Sequence, residues 1–447
     1  MTTALAVRPT QPVTARPNAG RLGATSRGTM ERFALVAMMA TIIGQPVLHP
    51  TGPGNSSPVD VLTLLSIISV AIWVASARLP LRAPYTFGVA LMVIGGALAG
   101  LNGPLPGLAV VALIQDLVLI TWCTALVAVA RTPGRLTLLA KTWAYSSMGS
   151  AGVLVIGSLA HINAITGVVA KDGNRELFTF ADPNYAATYW VLSLFVVHAC
   201  QAPRRRFPRL CGYTLLVWAL LLSESNGGAV ELAVGCALLV LLAMMRRYGP
   251  AAALAVLLLV GGSLAGVLHV VPFSSVQTWA RGSGQSLLVN SLGRSNASSA
   301  QRGQLISEAF ALYASDGWLG SGPASTKPLL QERSYPYAKM AHDDYLAALV
   351  ERGPIGLLGL VFLTASAVWR TGKVLRAGPA KDQDSLPRPA GLAAALLAVA
   401  VAATYYQVLH FRFVWALLAM VAALTFQCTD RRSGPPRILV RDGRSGP

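Results

Sequence analysis

Apolar runs long enough to cross a membrane recur along nearly the whole chain. A membrane-spanning helix needs about 17–25 mostly apolar residues. Twelve segments are candidates on that template, of which the seventh is short and the first and tenth are marginal, so ten or eleven spans are the alternative. The twelve candidates lie near 33–49, 58–77, 84–101, 109–130, 142–160, 184–201, 210–223, 229–245, 250–271, 353–369, 390–409 and 412–428. The pattern predicts an all-α polytopic membrane protein with about 12 transmembrane helices.

One long polar interval, 272–352, separates spans nine and ten. Loops well above about 12–15 residues are usually functional or disordered. Apolar residues recur at helical spacing from Ser298 to Ser315 and predict an amphipathic helix that lies on the membrane surface. Gly320-Ser321-Gly322 predicts a bend after it, and a second helix is expected from Ala341 to Glu351. We therefore expect a large helical extracytoplasmic loop.

The remaining divisions of the chain follow from these runs. The first 32 residues are rich in Pro, Thr, Gly and Arg and predict a disordered basic cytosolic tail. The first apolar run lacks a small-residue cleavage site after it, so it is expected to remain as an uncleaved span. The predicted divisions are 1–32 (tail), 33–271 (spans one to nine), 272–352 (catalytic loop), 353–428 (spans ten to twelve) and 429–447 (cytosolic tail).

The composition is typical of a membrane protein, and the distribution of basic residues predicts its orientation in the membrane. The chain of 447 residues is 54% hydrophobic and 12% charged, against roughly 25% charged residues in soluble domains. Its formal charge of +18 comes from short basic clusters between apolar runs, as the positive-inside rule predicts, and does not indicate nucleic-acid binding. With both termini cytosolic, most Lys and Arg fall inside. The five cysteines match no zinc motif and predict no disulfide in the loop.

His342-Asp343-Asp344 is the sharpest candidate for chemistry. Histidine titrates near neutrality and can take a proton from a hydroxyl, and a neighbouring carboxylate can orient its ring. The alternative is a helix start at which the two acids favour the helix dipole and His342 has no role. Adjacent residues do not easily face one ion, so a metal site is not expected.

Arginines on the outward segments form a second candidate group. Arg175, Arg294 and Arg302 could bind a diphosphate with bidentate hydrogen bonds. They could equally neutralise lipid headgroups, although the position of Arg302 inside a patterned helix favours function.

Acids within predicted spans leave a different class of function open. Asp116 and Glu231 are costly in a bilayer and could form a proton relay in a secondary transporter or flippase, or pair with a base. No internal repeat of the kind common in transporters is evident. Asp182-Pro183-Asn184 predicts a helix start, with Asp as cap and Pro in the first turn.

Several of these motifs, in this order, resemble the bacterial O-antigen ligase and polymerase superfamily. The closest resemblance is to that family's His-(Asn/Ser)-nine-Gly-x-x-Gly motif. In this chain the motif begins at His342-Asp343, continues for nine residues and ends at Gly353-Pro354-Ile355-Gly356. Asp343 occupies the position of the amide or hydroxyl residue. Arg302-Gly-Gln-Leu-Ile resembles its Arg-x-x-x-Leu element. Arg175 to Asn184 resembles its Arg-x-x-Gly-(four)-Pro-Asn stretch, with Phe178 in place of the glycine.

One departure concerns a Ser-Arg-Gly turn, which here reads Ser225-Asn226-Gly227. The family is thought to use the arginine of this turn on the diphosphate, and in this chain Asn226 occupies that position. Arg294, Arg175 or Arg412 would therefore have to supply the positive charge. This departure favours a polysaccharide polymerase or a non-standard ligase.

The resemblance implies an inverting, metal-independent glycosyltransferase without a cofactor, in the bacterial cytoplasmic membrane with its active site on the outer face. A polyprenyl-diphosphate-linked glycan would be the donor, and a glycan or lipid-anchored hydroxyl the acceptor. His342 would be the general base and Arg302 would stabilise the diphosphate. The implied substrate-binding residues are Arg175, Arg294, Asp343, Asn226, Tyr345 and Asn184.

Overall fold

A computed structural model gives the fold of the protein. It describes residues 19–49, 57–167, 175–180, 182–270, 273–285, 288–289, 293, 297–333, 343–377 and 386–432.

Every regular element in the described ranges is a helix, which confirms the all-α prediction. In chain order they are α1 (Ala19–Gly44), α2 (Pro58–Ala77), α3 (Thr86–Asn102), α4 (Pro106–Ala130), α5 (Arg135–Leu159), α6 (Asn163–Thr166), α7 (Pro183–Cys200), α8 (Arg206–Leu222), α9 (Asn226–Tyr248), α10 (Pro250–Val270), α11 (Phe273–Gly282), α12 (Ala297–Asp316), α13 (Thr326–Arg333), α14 (Asp344–Ala377), α15 (Ala390–Ala402) and α16 (Arg412–Arg432).

Five of the described helices are long and apolar enough to cross a membrane: Pro58–Ala77, Pro106–Ala130, Asn226–Tyr248, Asp344–Arg376 and Arg412–Asp430. Thr86–Asn102, Pro250–Ser263 and Ala390–Ala402 are shorter apolar helices. These lengths support a multi-pass membrane protein, while twelve spans stays a prediction.

One predicted boundary differs from the structure and another agrees with it. Helix α1 begins at Ala19, inside the segment predicted to be a disordered tail. The second predicted loop helix and the tenth predicted span are two helices that meet at Gly353, whose backbone angles are not helical. The two are numbered together as α14.

The core is densest where aromatic side chains of α5, α7 and α16 meet. Trp143, Tyr189 and Phe413 are almost fully buried, and the indole N–H of Trp143 donates to the hydroxyl of Ser193 over 2.9 Å. Because this donor is satisfied, the indole can be buried without the penalty of a lost hydrogen bond.

Glycines bring α3 and α14 into backbone contact. A Cβ atom on Gly95 would lie 2.6 Å from the backbone nitrogen of Gly356, and one on Gly88 would lie 2.8 Å from the carbonyl oxygen of Gly359. Small residues allow membrane helices to approach this closely. Gly356, the last residue of the His-to-glycine motif, therefore has a packing role.

Candidate active site

The centre of the candidate site is the break in α14 at Gly353-Pro354. Gly353 adopts φ +64°, and a Cβ atom there would lie 2.6 Å from the carbonyl oxygen of Leu319. Proline has no N–H, so it leaves the carbonyl of Val350 without its helical donor. The backbone N–H of Ser321 donates to that carbonyl over 2.9 Å.

The bend predicted at Gly320-Ser321-Gly322 is confirmed, since both glycines adopt positive φ angles of 89° and 101°. It folds back on the break in α14, where the N–H of Gly322 also donates to the carbonyl of Glu351 over 3.1 Å. The bend at Gly320-Ser321-Gly322 and the break in α14 thus form one structural unit. Backbone N–H groups of the bend donate to backbone carbonyls at the break.

The carboxylate of Glu351 fixes the start of α13. Its Oε2 accepts from the N–H of Ala324 over 3.0 Å, and its Oε1 accepts from the N–H of Thr326 over 3.4 Å. A carboxylate at a helix N-terminus satisfies N–H groups that lack helical acceptors and interacts favourably with the helix dipole. Glu351 therefore connects α14 to the polar loop a second time.

Asp343 caps the N-terminus of α14. Its Oδ1 accepts from the N–H of Tyr345 over 2.7 Å and from the N–H of Leu346 over 3.0 Å. Burial raises the pKa of the Asp343 carboxyl above its ordinary value, while these two hydrogen bonds act in the opposite direction. Asp343 therefore serves the helix start, and the role of His342 stays a prediction. The Tyr345 side chain packs against the main core.

Asp344 attaches this helix start to the segment before α16. Its N–H donates to the carbonyl of Ala403 over 2.9 Å, and its Oδ2 accepts from the N–H of Val408 over 2.9 Å. The chain on the C-terminal side of His342 is therefore held at a defined position. His342 itself, and with it the helical face that it was predicted to share with Tyr345, lies outside the described residues.

Arg302 belongs to α12, which packs on α14. Ala309 and Leu312 of α12 form a buried cluster with Leu346, Ala347 and Val350 of α14. A helix is therefore present where one was predicted, and Ile306 and Phe310 are exposed on its other side. Its location on the membrane surface stays a prediction. The side chain of Arg302 and the whole of Arg294 lie outside the described residues.

Arg175, predicted to bind a diphosphate, is buried and hydrogen-bonded within the protein. Its Nε donates to the carbonyl of Ser223 over 2.9 Å, and its Nη2 donates to Oδ1 of Asn184 over 2.9 Å. The same Asn184 oxygen accepts from the hydroxyl of Ser225 over 2.8 Å. Arg175 and Asn184 thus hold the turn that leads into Asn226.

The helix start predicted at Asp182-Pro183-Asn184 is confirmed. Asp182 caps α7 by accepting from the N–H of Asn184, and Pro183 is its first residue. Asn226 begins α9, with Ser225 as its cap.

Tyr405 contacts the turn at Asn226, which the sequence did not indicate. Its hydroxyl lies 2.9 Å from the carbonyl oxygen of Gly227 and 3.3 Å from Oε1 of the buried Glu231. A Cβ atom on Gly227 would lie 2.7 Å from the Tyr405 ring. The turn at Asn226 therefore depends on a side chain far away in sequence.

A cavity of about 110 Å³, lined by both apolar and polar side chains, lies beside α14. Its polar lining residues are Asp116, Asp344, Glu351, Arg352, Gln407 and His410. A water needs about 10–15 Å³ of such space, so the cavity has room for several waters or a small polar group. Donors and acceptors occur together, as hydrogen bonding to a hydroxylated ligand requires.

Asp116 forms an ion pair across this cavity with Arg352, at 2.6 Å between Oδ2 and Nη2. One of the two acids that suggested a proton relay therefore has a basic partner. Arg352, which was expected on an outward segment, is largely buried in this pair. Within the described ranges, no three His, Cys, Asp or Glu side chains are grouped to hold a metal ion. His342 is not among these residues, so metal independence stays a prediction.

The fold and site define an all-helical protein with several helices suited to span a membrane, in which a glycine-proline break anchors a polar loop. Residues 211–361 match the family model described as O-antigen ligase, which confirms the resemblance found in the sequence. The match covers the turn at Asn226, helix α12 and the motif from His342 to Gly356, but not Arg175 or Asn184. No curated protein is significantly similar to the chain.

Proposed function

We propose that this protein is a membrane glycosyltransferase that moves a glycan from a polyprenyl-diphosphate donor to an acceptor hydroxyl. One observation carries the proposal beyond the family match. The helix that holds Arg302 packs directly on the helix whose start follows His342, through Ala309, Leu312 and Val350. The family match covers both candidate residues, which lie forty positions apart in the sequence.

His342 acts as the general base on the acceptor hydroxyl in this proposal. The next residue in sequence, Asp343, caps α14. Arg302 binds the diphosphate and stabilises its charge as the sugar leaves, so that inversion needs no metal ion. We expect EDTA to leave transfer unchanged, whereas loss of transfer with rescue by a divalent ion would contradict this step.

Arg294 is the arginine best suited to replace the one missing at Asn226. Arg175 donates to Ser223 and Asn184, and Arg412 forms an ion pair with Asp60. Both guanidinium groups thus already bind protein acceptors, which supports a structural role for each.

The other predicted substrate contacts become positioning residues. Asp343 orients the start of α14, and Asn184 orients the turn before Asn226. The cavity beside α14 receives a sugar, since its lining offers both hydrogen-bond donors and acceptors beside apolar side chains. The protein has about 12 spans and cytosolic termini, and its site opens at the outer face of the bacterial cytoplasmic membrane.

The test uses purified protein and a polyprenyl-diphosphate oligosaccharide, with and without a separate lipid acceptor. Lengthening of the glycan without the acceptor would identify a polymerase, and product only on the added acceptor would identify a ligase. Failure of the folded protein to turn over under either condition would overturn the proposal.

A further inference from the structure

Three arginines from three separate segments meet around the ring of Phe426. The guanidinium carbons of Arg82, Arg131 and Arg370 lie 5.5, 5.7 and 4.9 Å from the centre of this ring. We call these residues, with Asp430, the arginine cluster. They come from the connection before α3, the end of α4, and helices α14 and α16. None belongs to the candidate active site.

The arginine cluster carries more positive than negative charge. Asp430 pairs with Arg82 at 2.8 Å and with Arg131 at 3.2 Å. Arg370 is in no ion pair among the residues that the structure describes, and it lies over the rings of Tyr85 and Phe426 at 5.1 and 4.9 Å. The cluster thus holds three guanidinium groups and one carboxylate, which pairs with two of them.

Two of these guanidinium groups also have donors without acceptors. In the described part of the chain, the Nε atoms of Arg131 and Arg370 are buried and have no hydrogen-bond partner. A buried donor without an acceptor is unfavourable, more so when it is charged. An oxyanion that enters the cluster would satisfy both.

The surface of α14 locates the cluster at the level of lipid headgroups. Leu358, Val361 and Val368 expose about half or more of their surface, as lipid-facing residues do. Trp369 follows with 56% exposed, and the Nζ atom of Lys373 lies 3.7 Å from the centre of its ring. Apolar residues followed by an exposed tryptophan and a lysine mark the boundary between acyl chains and headgroups.

We propose that the arginine cluster binds the phosphate of an anionic phospholipid whose acyl chains lie along the apolar face of α14. Arginine binds phosphate oxygens through paired hydrogen bonds, and basic pockets between membrane helices suit such headgroups. The lipid joins the ends of α4, α14 and α16. With the orientation predicted from the basic residues, it belongs to the cytosolic leaflet.

The charge balance gives two variants with opposite effects. Arg370→Gln removes the guanidinium that lacks a carboxylate, so it weakens binding of an anionic lipid. Asp430→Asn removes the competing carboxylate from the other two arginines, so it strengthens binding. Arg205→Gln is the matched control, because Arg205 is an exposed arginine in the basic segment before α8.

The experiment is native mass spectrometry of the full-length protein in a neutral detergent. Phosphatidylglycerol and phosphatidylcholine with the same acyl chains are the probes, and inorganic phosphate is a third arm. The wild type and Arg205→Gln should retain phosphatidylglycerol in preference to phosphatidylcholine. Arg370→Gln should lower the affinity for phosphatidylglycerol by at least about tenfold, as expected for loss of a charged hydrogen bond. Asp430→Asn should raise it.

The proposal is overturned if the wild type binds both lipids equally, or if Arg370→Gln and Asp430→Asn shift the affinity in the same direction. Displacement of the lipid by equimolar inorganic phosphate would also overturn it, because the site would then be a free-phosphate site. If one of these two variants fails to fold, the change in lipid affinity of the other variant is the test. The result is independent of glycosyl transfer.

Discussion

The backbone N–H of Ser321 donates over 2.9 Å to the carbonyl oxygen of Val350. That carbonyl is the one that Pro354, four residues later, cannot satisfy within the helix. The bend of the polar loop and the break in α14 therefore form one structural unit. Its integrity sets the position of the helix start that follows His342.

We expect Gly353→Ala to destabilise this unit. The change forces a side chain into φ +64° and brings a Cβ atom against the carbonyl of Leu319. Such strain costs about 1–3 kcal/mol, so the thermal midpoint in detergent should fall. Gly372→Ala in the same helix is the control, since a Cβ atom there meets nothing within 4 Å. Equal midpoints for the two variants would show that the break does not require glycine.

Glu351→Ala should loosen α13 without unfolding the helix bundle. The N–H groups of Ala324 and Thr326 lose their carboxylate acceptor, and each such hydrogen bond contributes about 0.5–1.5 kcal/mol. Hydrogen exchange of peptides that cover 322–332 should become faster. Glu332→Ala, at an exposed position on the same helix, should leave the exchange unchanged. Protection in Glu351→Ala equal to the wild type would contradict the connection between α13 and α14.

Much of this region could be read from local patterns, and the reasons are physical. Asp182 followed by proline is a helix start whatever surrounds it, and α7 begins there. Two glycines around Ser321 permit the positive φ angles of a bend, and both are observed. The alternation of α12 between buried and exposed residues follows from helical spacing alone.

Contacts between distant segments could not be read in the same way. Nothing near Arg175 in sequence shows that its guanidinium is buried against Ser223, and nothing near Gly227 points to Tyr405. The ion pair of Asp116 with Arg352 joins a predicted span to a predicted loop. Burial and pairing of polar groups depend on which helices pack together, and single-sequence patterns do not contain that information.

Arg175 and Asn184 should behave as a coupled pair. Each single change to alanine removes the hydrogen bond between Nη2 and Oδ1, so the double variant should be less destabilised than the sum of the singles. The coupling free energy should fall within about 0.5–3 kcal/mol. The coupling free energy is measured by a double-mutant cycle of thermal unfolding. The KM for the glycan donor is measured in parallel on the folded protein of each variant. Additive midpoints with a raised KM for the donor would instead support direct substrate binding by Arg175.

The most direct test of the account is glycosyl transfer by purified His342→Ala and Arg302→Lys, beside the wild type and Arg205→Gln. We expect His342→Ala to abolish turnover and Arg302→Lys, which keeps the charge but loses the paired hydrogen bonds, to impair it severely. Both variants should insert and melt like the wild type, and Arg205→Gln should be fully active. Substantial transfer by a folded His342→Ala protein would contradict the assignment of the general base.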